Sequence, residues 1–236
     1  MNHLLRFNVH KTYADVFIPG GGRPRTLNAS NVHEFLDETG KPTTKGIVEG
    51  ANLYLDDAAR AFLEERGCLI IKDSSANKAG VICSSFEVLS GLTLGDELFM
   101  AHKERLAEEI LRRLRLAASN EADLLLNSHK KTNEPLTVLS DRISKRINQF
   151  TYQILEYLEG EKELSNAMMK TFLSYCLPLL REEFEDKLIS EIPPLHKRAI
   201  IACHIGAQAV YHKGLDWFPS IVDIIPLLIE SESFEV

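Results

Sequence analysis

The stretch Ile47–Leu89 alternates short apolar runs with polar turns. Its pattern predicts a strand, a turn and a helix, followed by a second strand, turn and helix. The two polar turns, Glu49–Asn52 and Asp73–Gly80, each follow a predicted strand. Because open α/β sheets bind ligands outside the carboxyl ends of their strands, both turns belong to the predicted binding edge.

Three strands are predicted in all, over about residues 14–19, 46–49 and 68–72. The first ends at Pro19 and is followed by the loop Gly20–Gly22. The third contains the continuous apolar run Cys68–Ile71, a pattern typical of a strand that is covered on both faces. A Rossmann-type sheet is normally built from two mononucleotide-binding halves, and three strands correspond to one of them.

Helix signals lie between these strands. Asp56 or Asp57 can cap a helix that precedes the third strand, and Gly67 supplies its left-handed stop. A shorter helix is predicted over Leu27–Phe35. The apolar positions of the helix before the third strand recur at helical spacing at Ala58, Phe62 and Leu63.

The chain becomes helical from Thr93 onward. A long helix is predicted over about Leu98–Asn127, and a second, capped by Ser140, over about Ser140–Leu158. The polar segment Ser128–Pro135 is predicted to be the loop between them. Two further helices are predicted, over Leu164–Arg181 with a break near Pro178 and over Leu195–His212.

These patterns together predict an α/β fold with two domains. Residues 1–92 are expected to form a partial Rossmann-like sheet of about three strands, and residues 93–236 an all-α, helical C-terminal region. With 236 residues, of which 44% are hydrophobic, the chain can bury one sizeable core or two modest ones.

Charge and composition exclude several classes of function. The net charge of −7, without a basic stripe to offset it, argues against a nucleic-acid partner. No apolar run approaches the roughly 18 residues that a membrane helix needs. The first residues lack the pattern of a signal peptide, so a cytoplasmic location is expected.

Neither the cysteines nor the histidines indicate a metal site. The four cysteines have no metal or redox spacing and are interpreted as buried free thiols. His196, His204 and His212 recur every eight residues. This spacing turns each histidine about 80° from the last, so the three cannot share one ion.

The candidate ligand-binding residues each have a plainer interpretation. Consecutive glycines such as Gly20 and Gly21 let a backbone approach a ligand, but a glycine loop without the GxGxxG or phosphate-loop pattern is more often only a turn. Asn52 can offer a donor and an acceptor to a carboxamide or a ribose hydroxyl, or it can simply form a turn. Asn77 has the same two interpretations.

Three motifs in one order carry a resemblance to a known family. They are ADVFIPGGGRP from Ala14, EGAN from Glu49, and SANKAG from Ser75, followed by V-x-x-S-x-F-E. Together they resemble the distal half of the NAD-binding domain of glutamate dehydrogenases, most of all the long-chain NAD-specific subgroup. The resemblance is clear over about Ala14–Leu92. It implies that the chain is the carboxyl-terminal part of such an enzyme.

The resemblance implies four contacts with NAD. The loop containing Gly20 and Gly21 borders the nicotinamide side of the cofactor in the family. Asn52 matches an asparagine that contacts the nicotinamide riboside, and Asn77 one that lies beside the nicotinamide and the reacting carbon. The family has Asn-Ala-Gly-Gly where this chain has Asn77 followed by Lys78-Ala79 and a glycine, so an extra charge is expected near the site.

The resemblance also implies a substrate site on the helix after SANKAG. Val81 and Ser84 are three residues apart and therefore share a face. The matching valine packs against the aliphatic stem of the substrate, and the matching serine hydrogen-bonds its side-chain carboxylate, which favours glutamate. The plainer interpretation is that Ser84 bonds its own helix backbone, as single helical serines commonly do.

No catalytic residue is assigned. Oxidative deamination needs a base, and the family's catalytic lysine and aspartate have no counterpart here. We expect the chain to convert L-glutamate to 2-oxoglutarate and ammonia only together with the remainder of the dehydrogenase, as a homo-oligomer. The alternative is a non-catalytic helical assembly or regulatory module that retains half a nucleotide-binding fold.

Overall fold

The computed structural model describes residues 12–224. These residues form two compact units. The described part of the first unit contains residues 12–78 and Glu121–Asp141, and that of the second contains Ala79–Asn120 and residues 142–224. The domain boundary predicted at residues 92 and 93 stays a prediction.

The first unit is built on a parallel sheet. Its strands are β1 (Ala14–Phe17), β2 (Thr44–Val48) and β3 (Leu69–Ile71), in the order β1-β2-β3. In the register, Phe17 pairs with Ile47 and Ile47 pairs with Ile70. The partial Rossmann-like sheet expected from the sequence is therefore confirmed, with strands close to the predicted positions.

One face of this sheet carries the core of the first unit. Its fully buried members are Leu27, Phe35, Ile47, Leu55, Leu63 and Ile70. On the opposite face Val16 and Leu69, aligned across Gly46, are 51% and 42% exposed. The prediction that the third strand is covered on both faces is therefore wrong, because an apolar run does not reveal whether its second face has a partner.

Helix α1 (Asp57–Glu64) connects β2 to β3. The Asp56 carboxylate accepts a hydrogen bond of 2.8 Å from the Ala59 N–H, which satisfies one open donor of the first turn. Gly67 follows the helix with φ +84°, the left-handed conformation that glycine adopts without strain. The predicted cap and stop are both confirmed. The predicted core position Ala58 is exposed, since the buried face instead contains Ala59, Arg60 and Leu63.

The helix predicted over Leu27–Phe35 is shorter than expected. A 3₁₀ helix occupies only Val32–Phe35. Before it, the Asn28 side chain accepts hydrogen bonds from the Ser30 N–H and hydroxyl. Asparagine side chains that bond the following backbone compete with helix formation, which explains the late start.

Helices dominate the rest of the described chain. They are α2 (Asp73–Ala76), α3 (Ala79–Thr132), α4 (Leu136–Gly160), α5 (Asn166–Tyr175), α6 (Pro178–Glu183), α7 (Glu185–Glu191) and α8 (Pro194–Lys213). The helical C-terminal region is confirmed, although α7 was not predicted. The apolar tail predicted from Ile221 to Ile229 lies partly outside the described residues.

Two predicted boundaries around α3 and α4 are wrong. The predicted loop Ser128–Pro135 is reduced to residues 133–135, because α3 continues to Thr132 and ends at Asn133, which has φ +58°. Ser140 does not cap α4; it is fully buried inside it. Gly95 interrupts α3 with φ +69°, which explains why the sequence pattern suggested two separate helices.

The second unit has a helical core of its own. Its fully buried apolar residues include Leu89, Ile143, Phe172, Leu180 and Ile201. Two of its helical segments approach closely at Gly206, where an added Cβ would lie only 2.8 Å from the Thr151 hydroxyl. Among residues 12–224, no helix is long and apolar enough to span a bilayer. That part of the chain also lacks any cluster of three or more potential metal ligands.

His204 makes the stability of the second unit depend on pH. Its ring packs edge-on against Tyr175 at 5.6 Å, and burial, aided by the charge of Arg113, lowers its pKa from 6.5 to about 4. Between these values the unfolded state binds more protons than the folded state, so stability decreases as the pH falls from 6.5 towards 4. We expect a loss of about 3 kcal/mol at pH 4 from this group. Urea denaturation at several pH values measures it.

The His204→Gln variant should reduce this acid-dependent loss, because the neutral side chain takes up no proton on unfolding. His196→Gln, at an exposed position of the same helix, is the matched control and should keep the wild-type pH dependence. Identical slopes in wild type and His204→Gln between pH 4 and 6.5 would contradict the assignment.

Candidate functional site

The candidate site lies at the carboxyl ends of the three strands in the first unit. Because β1, β2 and β3 are parallel, the loops that follow them meet at one edge of the sheet. The loops after β1 and β2 are in direct contact. A Cβ added to Gly50 would lie 3.2 Å from the carbonyl oxygen of Pro19 and 3.9 Å from the Cα of Gly20. The structure thus brings the glycine loop and the EGAN turn together.

The three glycines after β1 differ in what the fold demands of them. Gly22 has φ +126°, and an added Cβ would lie 3.1 Å from the Tyr54 ring, so the chain itself requires glycine there. At Gly20 and Gly21 an added Cβ would meet nothing within 4 Å, and neither residue has a positive φ. Their backbone therefore borders open space at the binding edge.

Asn52 and Asn77 are brought together although they follow different strands. The Asn77 side-chain amide donates a hydrogen bond of 2.5 Å to the Asn52 side-chain oxygen. Among the described residues, this leaves the Asn52 Nδ2 donor and the Asn77 Oδ1 acceptor without a partner. One donor beside one acceptor is the complement of a carboxamide group.

A buried ion pair that the sequence reasoning missed supports this edge. The Arg60 guanidinium donates two hydrogen bonds of 2.8 Å to the two carboxylate oxygens of Glu49, and both side chains are almost fully buried. Such a two-point pair fixes the orientation of both groups. The sequence did carry a signal for this pair: an arginine lies on the apolar side of α1, between Ala59 and Leu63, where a buried charge needs a partner.

Asp73 extends this pair to the Asn52 turn. Its carboxylate lies 3.2 Å from Arg60 and also accepts a 2.7 Å hydrogen bond from the Leu53 N–H. Leu53 has φ +53°, an uncommon conformation for a leucine. The bond to Asp73 holds the backbone next to Asn52 in this conformation. The acidic turn residues therefore act as supports for the site.

Val81 and Ser84 lie in the second unit, in the first turns of α3. Val81 is 77% exposed and Ser84 is also exposed, so the two present a shared open face. Within residues 12–224 Ser84 makes no side-chain hydrogen bond, whereas Thr93 on the same helix bonds the Leu89 carbonyl. Ser84 therefore does not bond its own helix backbone, and its hydroxyl is available to a ligand.

Comparisons with known proteins agree with the motifs. Residues 3–138 match the family model described as Glutamate/Leucine/Phenylalanine/Valine dehydrogenase. Over 216 residues the chain is 32% identical to "Glutamate dehydrogenase 2" of Dictyostelium discoideum, an alignment that covers 86% of this chain and 20% of that protein. It is 33% identical over 216 residues to the "NAD-specific glutamate dehydrogenase" of Neurospora crassa, covering 85% and 20%.

A third relative is the "Probable NAD-specific glutamate dehydrogenase" of Schizosaccharomyces pombe, 32% identical over 222 residues that cover 88% of this chain and 20% of that protein. The chain thus spans about a fifth of the length of the curated relatives that it matches. No solved structure matches it significantly.

Proposed function

The chain belongs to the Glutamate/Leucine/Phenylalanine/Valine dehydrogenase family, and from this premise we propose that it forms part of an NAD-dependent glutamate dehydrogenase. The reaction would be oxidative deamination of L-glutamate to 2-oxoglutarate and ammonia. The names of the relatives support NAD as the cofactor. When bound, NAD accepts the hydride that leaves the amino acid.

The paired amides of Asn52 and Asn77 carry this proposal. Their remaining donor and acceptor fit the carboxamide of a nicotinamide ring, which offers one acceptor and one donor in return. Both amides lie at the carboxyl edge of the parallel sheet, where open α/β folds bind their ligands. The two side chains would hold the ring in one orientation and so present one of its faces to the substrate.

The loop after β1 supports the same proposal. Gly20 and Gly21 border open space, and their lack of side chains lets a flat ring or ribose approach the backbone. Nothing in the described fold requires glycine at these two positions. A ligand that must come within van der Waals distance of the main chain supplies such a requirement.

The substrate would contact Val81 and Ser84. The valine side chain suits an aliphatic stem, and the Ser84 hydroxyl can donate a hydrogen bond to a side-chain carboxylate. Proton transfer from the substrate ammonium needs a base that we assign to no residue of this chain. We therefore propose that the isolated chain is inactive and that the remainder of the dehydrogenase supplies the base.

Replacing Ser84 with alanine should weaken the use of glutamate. We expect kcat/KM for glutamate to fall roughly tenfold to a hundredfold, since a hydrogen bond to a charged group is lost. The activity with leucine should stay unchanged or rise, because leucine has no carboxylate to bind there. Steady-state kinetics of the native protein with both amino acids measure the shift.

Ser119→Ala is the matched control for this variant, at another exposed serine of α3. It should leave both activities at the wild-type level. An equal loss with glutamate and leucine in Ser84→Ala would remove Ser84 from the substrate site.

A second candidate function is a non-catalytic assembly module. The exposed apolar residues Val16 and Leu69 on one face of the sheet favour it, because exposed apolar patches commonly mark interaction sites. This face would also serve a homo-oligomer of the complete enzyme. Sedimentation of the chain over a range of concentrations separates a stable monomer from a self-associating protein.

One experiment separates the two functions. An antibody raised against this chain captures the native protein from its source cells, at whatever length the cells make it. The captured protein is assayed for glutamate-dependent reduction of NAD, and its mass is measured. We expect activity and a mass well above 26.6 kDa. A captured protein without this activity would overturn the proposed dehydrogenase and favour the assembly module.

A further inference from the structure

Lys78, the extra charge expected beside the nicotinamide, is paired. Its ammonium lies 2.8 Å from a carboxylate oxygen of Glu121, and the Glu121 side chain is only 4% exposed. Glu121 lies far along α3, on the part of that helix that belongs to the first unit. The charge is therefore held by a residue from the later part of α3, the helix that begins directly after Lys78.

The same carboxylate also binds α2. The Ser75 hydroxyl donates a 2.6 Å hydrogen bond to the Glu121 oxygen that contacts Lys78. Ser75 and Ser74 also contact the fully buried Ser140 hydroxyl of α4. Three polar side chains of the segment after β3, those of Ser74, Ser75 and Lys78, are thus anchored on helical residues from beyond position 120.

A further ion pair begins this anchored segment. The Lys72 ammonium lies 2.7 Å from the carboxylate of Asp141 on α4, and the Lys72 side chain is mostly buried. Contacts to helical residues therefore bracket the segment Lys72–Lys78 at both of its ends. Asn77 lies inside this bracket, between Ser75 and Lys78.

We propose that Glu121 is a positioning residue for the cofactor: it holds Lys78 and Ser75 and thereby fixes Asn77 against Asn52. This inference rests on the proposed function, since Asn77 is the residue assigned to the nicotinamide. In this role Glu121 contacts Lys78 and Ser75 and acts on the cofactor only through them. The serines around Ser140 complete the anchor.

The physical reason is the cost of a buried carboxylate. Lys78 and Ser75 stabilise the buried Glu121 carboxylate, because a buried charge is strongly unfavourable without charged and hydrogen-bonding partners. Because these contacts are mutual, Glu121 in turn restrains Ser75 and Lys78, which lie on either side of Asn77. Restricting a segment before its ligand binds lowers the entropic cost of binding.

The substitution Glu121→Gln tests the proposal. The amide keeps the size of the side chain and an acceptor for Ser75, but it removes the charge that holds Lys78. In the native protein we expect KM for NAD to rise about tenfold, while KM for glutamate changes by less than about twofold. A general disruption of folding would instead change KM for both NAD and glutamate, and would lower the amount of active enzyme.

Glu109→Gln is the matched control. Glu109 is another buried glutamate on α3, paired with Arg105 and with the Leu179 N–H in the second unit. Its substitution removes a comparable buried ion pair away from the segment Lys72–Lys78. It should lower stability and leave KM for NAD at the wild-type value.

A second readout does not depend on activity. Amide hydrogen exchange of residues 74–78 in this chain should accelerate about tenfold in Glu121→Gln, since the lost anchor raises the population of open states. Exchange there should be unchanged in Glu109→Gln. Unchanged exchange in Glu121→Gln, or an equal acceleration in both variants, would overturn the positioning role.

The two readouts separate this inference from the proposed function. If the wild-type native protein reduces no NAD, the proposed function fails, and the exchange experiment still decides whether Glu121 anchors the segment. If activity is present and Glu121→Gln keeps the wild-type KM for NAD, the proposed function stands and the positioning role is wrong. In the double variant Lys78→Met/Glu121→Gln, the increase in the logarithm of KM for NAD should be smaller than the sum of the increases in the two single variants.

Discussion

Replacing Glu49 with glutamine is expected to lower the free energy of unfolding by about 3–5 kcal/mol. Glu49 is fully buried and accepts two of the hydrogen bonds that the Arg60 guanidinium donates. The amide can satisfy only part of this arrangement, and it leaves the buried arginine with less compensating charge. Urea denaturation followed by circular dichroism at neutral pH measures the change.

The exposed ion pair between Asp15 and Lys45 provides the control. Its two atoms are 2.6 Å apart, but both side chains are more than 80% exposed. Water and salt screen such a pair, so Asp15→Asn should leave the unfolding midpoint unchanged. Similar effects of the two substitutions would show that burial does not set the strength of the Glu49–Arg60 pair.

Local signals predicted most of the sheet and its edge correctly. Strand positions, the Asp56 cap and the Gly67 stop each depend on neighbours within a few residues, which a sequence pattern records. The parallel-strand rule also predicted that Asn52 and Asn77 would share one edge. It could not predict that their side chains would bond each other, because that depends on loop geometry.

Long-range contacts explain what the sequence pattern missed. Ser140 has the residue type of a helix cap, yet it is buried in α4 beside Ser75, which lies 65 residues away in the chain. Arg60 interrupts an apolar face, and only the position of Glu49 shows why the fold tolerates it. In the sequence, Glu121 is simply one more charged residue of a predicted helix. Such pairs leave no periodic trace, so they require the structure.

Alanine at Asn52 or Asn77 is expected to lower kcat/KM for NAD about a hundredfold in the native protein. Each substitution removes a hydrogen-bonding group worth about 2–3 kcal/mol when its partner on the cofactor is left unsatisfied. Stability should change little, because Asn52 is exposed and the bond between the two amides lies at the surface. Steady-state kinetics with varied NAD, alongside thermal denaturation, measure both effects.

The double variant reveals how the two asparagines act. They are bonded to each other, so removing one also frees the other from its fixed orientation. The loss in Asn52→Ala/Asn77→Ala should therefore be clearly smaller than the product of the two single losses. Asn127→Ala, at an exposed asparagine of α3 in the same unit, should keep the wild-type kinetics. If the single variants also keep them, the nicotinamide site lies elsewhere; if the losses multiply, the two amides bind the cofactor independently.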